Sequence, residues 1–205
     1  MVMNAEGLSF LQATCKRTFD IFVSLFGLVF TAPIITVAWL VSSFETGTHG
    51  FFFQERVGKN GELFNVIKVK TMKKIEGMNT TITSSNDARI TKSGAFFRKT
   101  KIDELPQLWN VLIGQMSLVG PRPDVTGYAD RLKGEDRLIL SIRPGITSPA
   151  SLKYKNEEEI LAAQDEPTQY NNTVIWPDKV RINREYIKNY SFAKDLQYIL
   201  KTIVG

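Results

Sequence analysis

From Ile21 to Phe44 the chain runs 24 residues without a charge, rich in Phe, Val, Leu and Ile, and no other stretch restricts the fold as strongly. As straight helix it reaches ~36 Å, enough for a bilayer core. It is too long for a cleaved signal peptide, and no convincing small-residue cleavage site follows it. Pro33 stands in its middle, where proline removes a backbone hydrogen bond and kinks a helix. Basic residues flank both sides: Lys16 and Arg17 before, then Arg56, Lys59, Lys68, Lys70, Lys73 and Lys74 after. Cationic flanks prefer the cytoplasm, and one straight span cannot place both there. A helix that breaks at Pro33, dips into one leaflet and returns can. On hydropathy alone, an ordinary spanning helix with a tolerated proline stays open.

The 205 residues suit one domain plus appendages, and the net charge of +5 points to a polyanionic partner: nucleic acid, anionic lipid or a phosphorylated substrate. A single cysteine, Cys15, excludes an internal disulfide and fits a reducing compartment. The lone His49 excludes a histidine-based zinc site, so any metal here is a hard one held by oxygen, such as magnesium. No internal repeat or low-complexity tract occurs.

The second constraining stretch is Arg98 to Arg122. Leu105, Leu108, Trp109, Leu112 and Ile113 recur as one apolar face of a helix. Asp103 stands where an N-cap belongs, Glu104 and Pro106 suit the first turn, and Gly114 supplies a stop. Two adjacent acids thus mark the start of a buried helix, with Arg98, Lys99 and Lys101 just upstream. By itself this describes a capped core helix. A following Gly120-Pro121-Arg122-Pro123 turn fixes one guanidinium on stiff backbone. Together with the membrane segment, these features suggest a carboxylate working on a phosphorylated, lipid-associated substrate.

Around these, Phe51–Val57 and Glu62–Lys70 read as strands joined at Asn60-Gly61, a strong hairpin signal. Lys68 and Lys70 share a face, which suits phosphate binding or a lysine-decorated sheet edge equally. Residues 77–86 read as a polar loop. Asp87-Ala-Arg89-Ile-Thr91 leads to Ser93, a cap for a short helix carrying Phe96 and Phe97. Residues 157–164 form an acidic helix with a solvated face, and 165–173 a loop. A helix runs from Trp176 towards Tyr190. Ser191 caps a last one, whose stripe of Phe192, Leu196, Ile199, Leu200 and Ile203 packs on the core or lies in a membrane interface.

Several segments resemble one known family in its order: Lys16-Arg-Thr-Phe-Asp20, Gln54-Glu-Arg-Val-Gly58, Lys68-Val-Lys-Thr-Met72, Asp87-Ala-Arg-Ile-Thr91, Asp103-Glu-Leu-Pro-Gln107, Asn110-Val-Leu112, Met116-Ser-Leu-Val-Gly-Pro-Arg-Pro123 and Arg143-Pro-Gly-Ile-Thr147. From Lys16 onward the chain resembles the bacterial sugar transferases, the small monotopic phosphoglycosyl transferases. The resemblance implies an α/β fold, mostly helical with a small β-hairpin. Residues 1–46 would form a re-entrant membrane helix kinked at Ala32-Pro33, and 47–205 a compact catalytic domain on the cytoplasmic face of the bacterial inner membrane. It implies transfer of a sugar 1-phosphate from a UDP-sugar to polyprenol phosphate, releasing UMP and using magnesium. Asp103 would be the nucleophile, forming a covalent phosphosugar intermediate, and Glu104 would help it hold the metal. Arg98 stands where the family binds polyprenol phosphate; Lys68, Arg122 and, more weakly, Arg89 are further phosphate ligands. Pro106, Pro121 and Pro123 would stiffen the site. Self-association is left open.

Ser148-Pro149-Ala150-Ser151 departs from the family's Gly-Trp-Ala-Gln, so sugar specificity does not carry over, and Lys70 replaces a usual arginine. A glycosidase is a poor rival, because its carboxylates must face each other across a sugar. The remaining alternative is a non-catalytic membrane-bound adaptor holding anionic lipid on its basic face. No nucleic-acid-binding motif occurs.

Overall fold

The computed structural model describes residues 7–73 and 87–204. Helix α1 (Phe10–Thr46) leads into a hairpin of β1 (Phe51–Val57) and β2 (Leu63–Val69). The centre is built by α2 (Lys92–Thr100), α3 (Gln107–Leu112), β3 (Ser117–Val119) and β4 (Gly145–Thr147). The chain closes with α4 (Pro149–Lys153), α5 (Glu157–Ala162), α6 (Pro167–Tyr170), α7 (Trp176–Lys188) and α8 (Phe192–Val204). It is mostly helical, with the expected hairpin and a second, parallel pair of strands, β3 beside β4. The loop expected over 77–86 lies outside the described residues, as does Lys74.

Helix α1 starts at a capping box, Ser9 with Gln12, and ends at Gly47 in the left-handed region. It is one element of 37 residues with Pro33 inside it. Its amphipathicity is inverted. The side turned to the body carries Lys16, Asp20, Ser24, Ala38 and Ser42, with Asp20 2% and Ser24 0% exposed. The opposite side carries Phe22, Phe26, Val29, Phe30, Val37 and Phe44, with Phe30 76% and Phe44 92% exposed. Water penalises such an array at ~25 cal/mol per Å² of apolar surface, whereas lipid accepts it. Hydroxyls within the helix are satisfied locally, Ser24, Thr31 and Thr36 each donating to the carbonyl four residues back at 2.6 to 2.8 Å. Among the described residues α1 is the one helix long and apolar enough to cross a membrane.

Its polar side is the attachment. Lys16 Nζ meets Asp195 Oδ2 at 2.6 Å in α8, where Tyr186 and Tyr190 also donate to the carboxylate. Arg17 donates to the carbonyls of Val111 and Leu112 at 2.6 and 2.7 Å, capping the end of α3. Asp20 Oδ1 accepts from Leu118 N at 3.0 Å, holding β3. At the other end Ser42 donates to the carbonyl of Lys70 at 2.5 Å, beyond β2. The main core gathers Val57, Val66, Val111, Met116, Val119 and Val180, while Ala38, Val69 and Phe97 form a smaller one against α1.

The hairpin turns as expected: Asn60 (φ 59°) and Gly61 (φ 87°) both adopt the left-handed conformation a two-residue turn demands. Elsewhere the local readings change. The cap of α2 is Thr91, which accepts from Gly94 N, while Ser93 donates to Glu45 of α1. Residues 165–173 are not a loop: α6 and a π-turn over Asn171–Ile175 carry the chain into α7. The stripe on α8 divides: Phe192 reaches across to Phe19 and Ile199 packs against the main core, while Leu200 and Ile203 are exposed. Buried Asp195 shares the inward side of that helix.

The Lys16–Asp195 pair yields a stability prediction. Asp195→Leu strands a buried ammonium and should cost about 3–5 kcal/mol, whereas Lys16→Met combined with Asp195→Leu should regain part of it, the Tyr186 hydroxyl still lacking its acceptor. Denaturant unfolding in detergent checks both; equal loss in single and double variants would refute the pairing.

Candidate active site

Asp103 does not cap a helix. It lies within a 3-10 turn, Ile102–Glu104, between α2 and α3, and α3 begins only after Pro106. The turn is entered through Lys101, a non-glycine residue at φ 59°, which reverses the chain after α2 and costs about 1–3 kcal/mol. The carboxylate is therefore lowered into the protein: Asp103 is 8% exposed, and its Oδ1 is buried without a hydrogen-bond partner. Burial, and then neighbouring Glu104, push its carboxyl above the usual range; Lys68, Lys101 and Arg98 pull the other way. No helix start lies at Asp103, so among the described groups these cations are what favour its ionised form.

The apolar stripe around α3 is only half covered: Leu108 packs against the main core, but the deepest positions are other residues. Trp109 and Ile113 are exposed, and the buried side is Gln107, Asn110 and Val111. The reason is Asn110, whose side chain stands in for a strand at the open edge of β2. Its Oδ1 accepts from Ile67 N at 3.1 Å and its Nδ2 donates to Asn65 O at 2.8 Å. This fixes α3, and with it the acids, beside β2 and Lys68.

Glu104 is the centre of an ionic cluster. Its Oε1 takes Lys68 Nζ at 2.9 Å and Arg122 Nη2 at 2.7 Å. Burial alone would raise the Glu104 carboxyl, but Arg122 and Lys68 outweigh it and hold it well below the usual range. Burial lowers Lys68, opposed by Glu104. Lys70, just past the end of β2, goes elsewhere, to Thr48 Oγ1 at 2.8 Å, so it does not act with Lys68.

Arg122 is held by backbone packing. Gly120 and Gly145 lie so close that a Cβ on Gly120 would meet Arg143 O at 2.4 Å, and one on Gly145 would meet Gly120 N at 2.1 Å. Between them Gly120 N donates to Thr147 O and Gly145 N to Pro121 O, both at 2.9 Å, so the Pro121-Arg122-Pro123 turn is laid on β4. Arg56 donates to Pro123 O at 3.4 Å, and Val57 N to Asp124 O at 2.9 Å, bracing it from β1.

Arg98 reaches Glu158 of α5 at 3.2 Å, and Lys179 meets Glu157 at 2.5 Å. The acidic helix is thus not merely solvated: two of its carboxylates are drawn to cations at the site's edge. Arg89 clasps Asp87 through a forked pair, which brings the Asp87 carboxyl down to about 2; Asp87 also feels Arg98. The structure joins Lys68, Glu104 and Arg122 directly, places Arg98 in the field of Asp103, and gives Arg89 a partner of its own. Ala32 and Pro33 are exposed on α1. Ser148 is fully buried as the N-cap of α4, accepting from Ser151 N at 2.9 Å, so this segment begins a helix. Arg17, Asp20 and Asn110 escaped notice as site-builders, although all three stand inside the quoted motifs.

Burial pushes the Asp124 carboxyl up to about 6, against the pull of Lys179, Arg56 and Arg122. Between its usual value and about 6 the folded chain keeps a proton that the unfolded chain has released, so stability falls as pH rises through that window. Asp124→Asn should remove this fall, seen as urea midpoints that change less than wild type's between about pH 4 and 7. An unchanged pH dependence would refute the assignment.

The model of the bacterial sugar transferase family matches residues 11–205. A relative in Bacillus subtilis, named a putative undecaprenyl-phosphate N-acetylgalactosaminyl 1-phosphate transferase, is 41% identical over 121 residues, covering 58% of this chain and 68% of its own. An uncharacterized sugar transferase of Haemophilus influenzae is 32% identical over 204 residues, 92% of this chain and 40% of its own. The undecaprenyl-phosphate galactose phosphotransferase of Salmonella typhimurium is 31% identical over 203 residues, 91% of this chain and 39% of its own. The chain therefore spans less than half the length of the last two. With the family's model matched over nearly the whole sequence, the chain belongs to the bacterial sugar transferase family.

Proposed function

We propose that this chain transfers a sugar 1-phosphate from a UDP-sugar to a polyprenol phosphate such as undecaprenyl phosphate, releasing UMP, at the start of a bacterial glycoconjugate pathway. The observation that carries the reading is a buried carboxylate, Asp103, with an oxygen lacking any partner, beside Glu104 clamped between two cations. A carboxylate with no partner of its own is available to phosphorus, and the surrounding cations suit a diphosphate. Asp103 attacks the β-phosphorus, the bond to UMP breaks, and the acceptor's phosphate oxygen then displaces Asp103, giving ping-pong kinetics. Lys68 and Arg122, positioned by their shared partner Glu104, donate to phosphoryl oxygens. Arg98, on an exposed Glu158, exchanges that acid for the acceptor's phosphate.

The residues fit a magnesium ion. Both cations fall on Glu104 Oε1, so Oε2 remains as a hard donor, and Asp103 adds an adjacent carboxylate. Magnesium is commonly held by one or two carboxylates plus substrate phosphates, and no larger ligand cluster occurs among the described residues. Bound there, it neutralises charge on the transferring group.

We further infer that α1 is re-entrant from one leaflet, with Ala32-Pro33 at its turning point. Lys16 and Ser42, near its two ends, are bonded to the same body, which cannot lie on both sides of a bilayer. That body then faces the cytoplasm, as the basic flanks favour.

Asp103→Asn should lower UMP release by about a thousandfold or more and abolish a radiolabelled enzyme adduct formed from donor alone. Wild-type turnover in the variant would rule out the nucleophile. A wild type that binds anionic vesicles yet never yields UMP would leave an adaptor as the better reading. For topology, Phe10→Cys and Lys59→Cys in a Cys15→Ser background should both be labelled from the cytoplasmic face only. Labelling of either from the outer face would establish a span.

A further inference from the structure

Gln107 and Asn110 both lie on the buried side of α3, at 3% and 0% exposure. Asn110 shows what a structural amide does at that depth. Every polar position is used: Oδ1 on Ile67 N, and Nδ2 on both Asn65 O and, at 2.7 Å, Gln115 Oε1. Gln107 is nearly as deep, yet its Nε2 has no partner. Buried donors without acceptors are rare because they are costly, so a lone one asks for an explanation.

The other orphan nearby is an acceptor. Asp103 lies four residues earlier, and its Oδ1 is likewise buried without a partner. The chain between is helical, with Leu105 at φ −54° and Pro106 at φ −60°, so residues four apart share a side. The nearby cations do not meet the need: Lys68 and Arg122 close on Glu104 and Arg98 on Glu158, and Lys101 acts on Asp103 through its field without a hydrogen bond to Oδ1. A donor without an acceptor and an acceptor without a donor thus stand one turn apart.

We propose that Gln107 is a positioning residue for the transfer, its side-chain amide donating to Asp103 Oδ1 and aiming Oδ2 at the phosphorus. This rests on the function proposed above. An Oδ2–phosphorus bond forms as the phosphorus–oxygen bond to UMP breaks, and UMP leaves with the bridging oxygen and its electron pair. In the second half an oxygen of the acceptor phosphate takes the phosphorus and returns the electron pair to Oδ2. Gln107 touches neither substrate. It fixes the plane of the carboxylate, so the attacking lone pair lies in line, and its hydrogen bond favours the ionised form.

Gln107→Met preserves the side chain's length and removes its amide. The full chain in detergent is given UDP-galactose or UDP-N-acetylgalactosamine without acceptor, and single-turnover UMP release is followed. The rate should fall roughly 10- to 100-fold. The donor concentration giving half-maximal rate should change by less than about twofold, and the thermal midpoint should fall by only about 2–8 °C, because Asp103 Oδ1 loses its donor while the apolar stem keeps its packing. Wild-type UMP release in the variant overturns the proposal, as does a lowered midpoint with a normal rate. Should Gln107→Met not fold, protein labelled with 15N-glutamine decides. One side-chain amide signal should move when donor forms the adduct and stay fixed in Asp103→Asn; no such movement overturns the proposal. A wild-type chain releasing no UMP from any UDP-sugar overturns the function itself, and this inference with it.

Discussion

A helix that turns its apolar side outward can be held only by what remains on the other side. In α1 that is Lys16, Arg17, Asp20 and Ser42, and each bonds to a different part of the body: α8, the end of α3, β3 and the backbone beyond β2. The attachment is polar at these four points, with Phe19, Val23 and Ala38 adding apolar contact between them, because most of the apolar surface is committed elsewhere. Such bonds are directional and gain strength where water is excluded, so they fix register as a greasy contact would not. The family's first motif, Lys16 to Asp20, is thus a fastening between membrane segment and catalytic body.

The site inherits its geometry from those fastenings. Arg17 closes the end of α3 and Asp20 holds β3, while Asn110 ties α3 to β2. Between these fixed pieces Glu104, Lys68 and Arg122 come together from a turn, a strand and a proline-bound loop. Asp103 is left buried among cations it does not directly bond. A carboxylate so placed is penalised while idle and relieved when it joins an electrophile, which suits a nucleophile better than a structural acid.

The motifs converge for reasons of backbone as much as of charge. Gly120 and Gly145 permit an approach that any side chain would block, and this brings the Pro-Arg-Pro turn onto the Arg-Pro-Gly turn. The parallel pair β3–β4 follows from that contact.

Much was legible in order along the chain. The uncharged run announced a membrane segment, Asn60-Gly61 announced the hairpin, and the Asp103-Glu104 pair beside basic residues marked the candidate site, because each signal is local. Lys68 and Arg122 were marked as phosphate ligands, but their meeting on one Glu104 oxygen was not readable. What failed was the direction each face points. The stripe Leu105, Leu108, Trp109, Leu112 and Ile113 has the period of a core helix, and its buried side proved to be Gln107, Asn110 and Val111. The stripe on α8 serves both readings left open for it, Phe192 and Ile199 packing inward while Leu200 and Ile203 stay exposed. Periodicity tells which residues share a side, but a nearby bilayer removes the rule that the apolar side is the inner one. The sequence by itself determined the membrane-type helix, the hairpin, the charged inventory and the family. Tertiary structure alone decided which side of α1, α3 and α8 is buried and that Asp103 lies in a turn rather than at a cap. Both depend on partners far apart in the chain, such as Lys16 with Asp195 and Asn110 with Ile67.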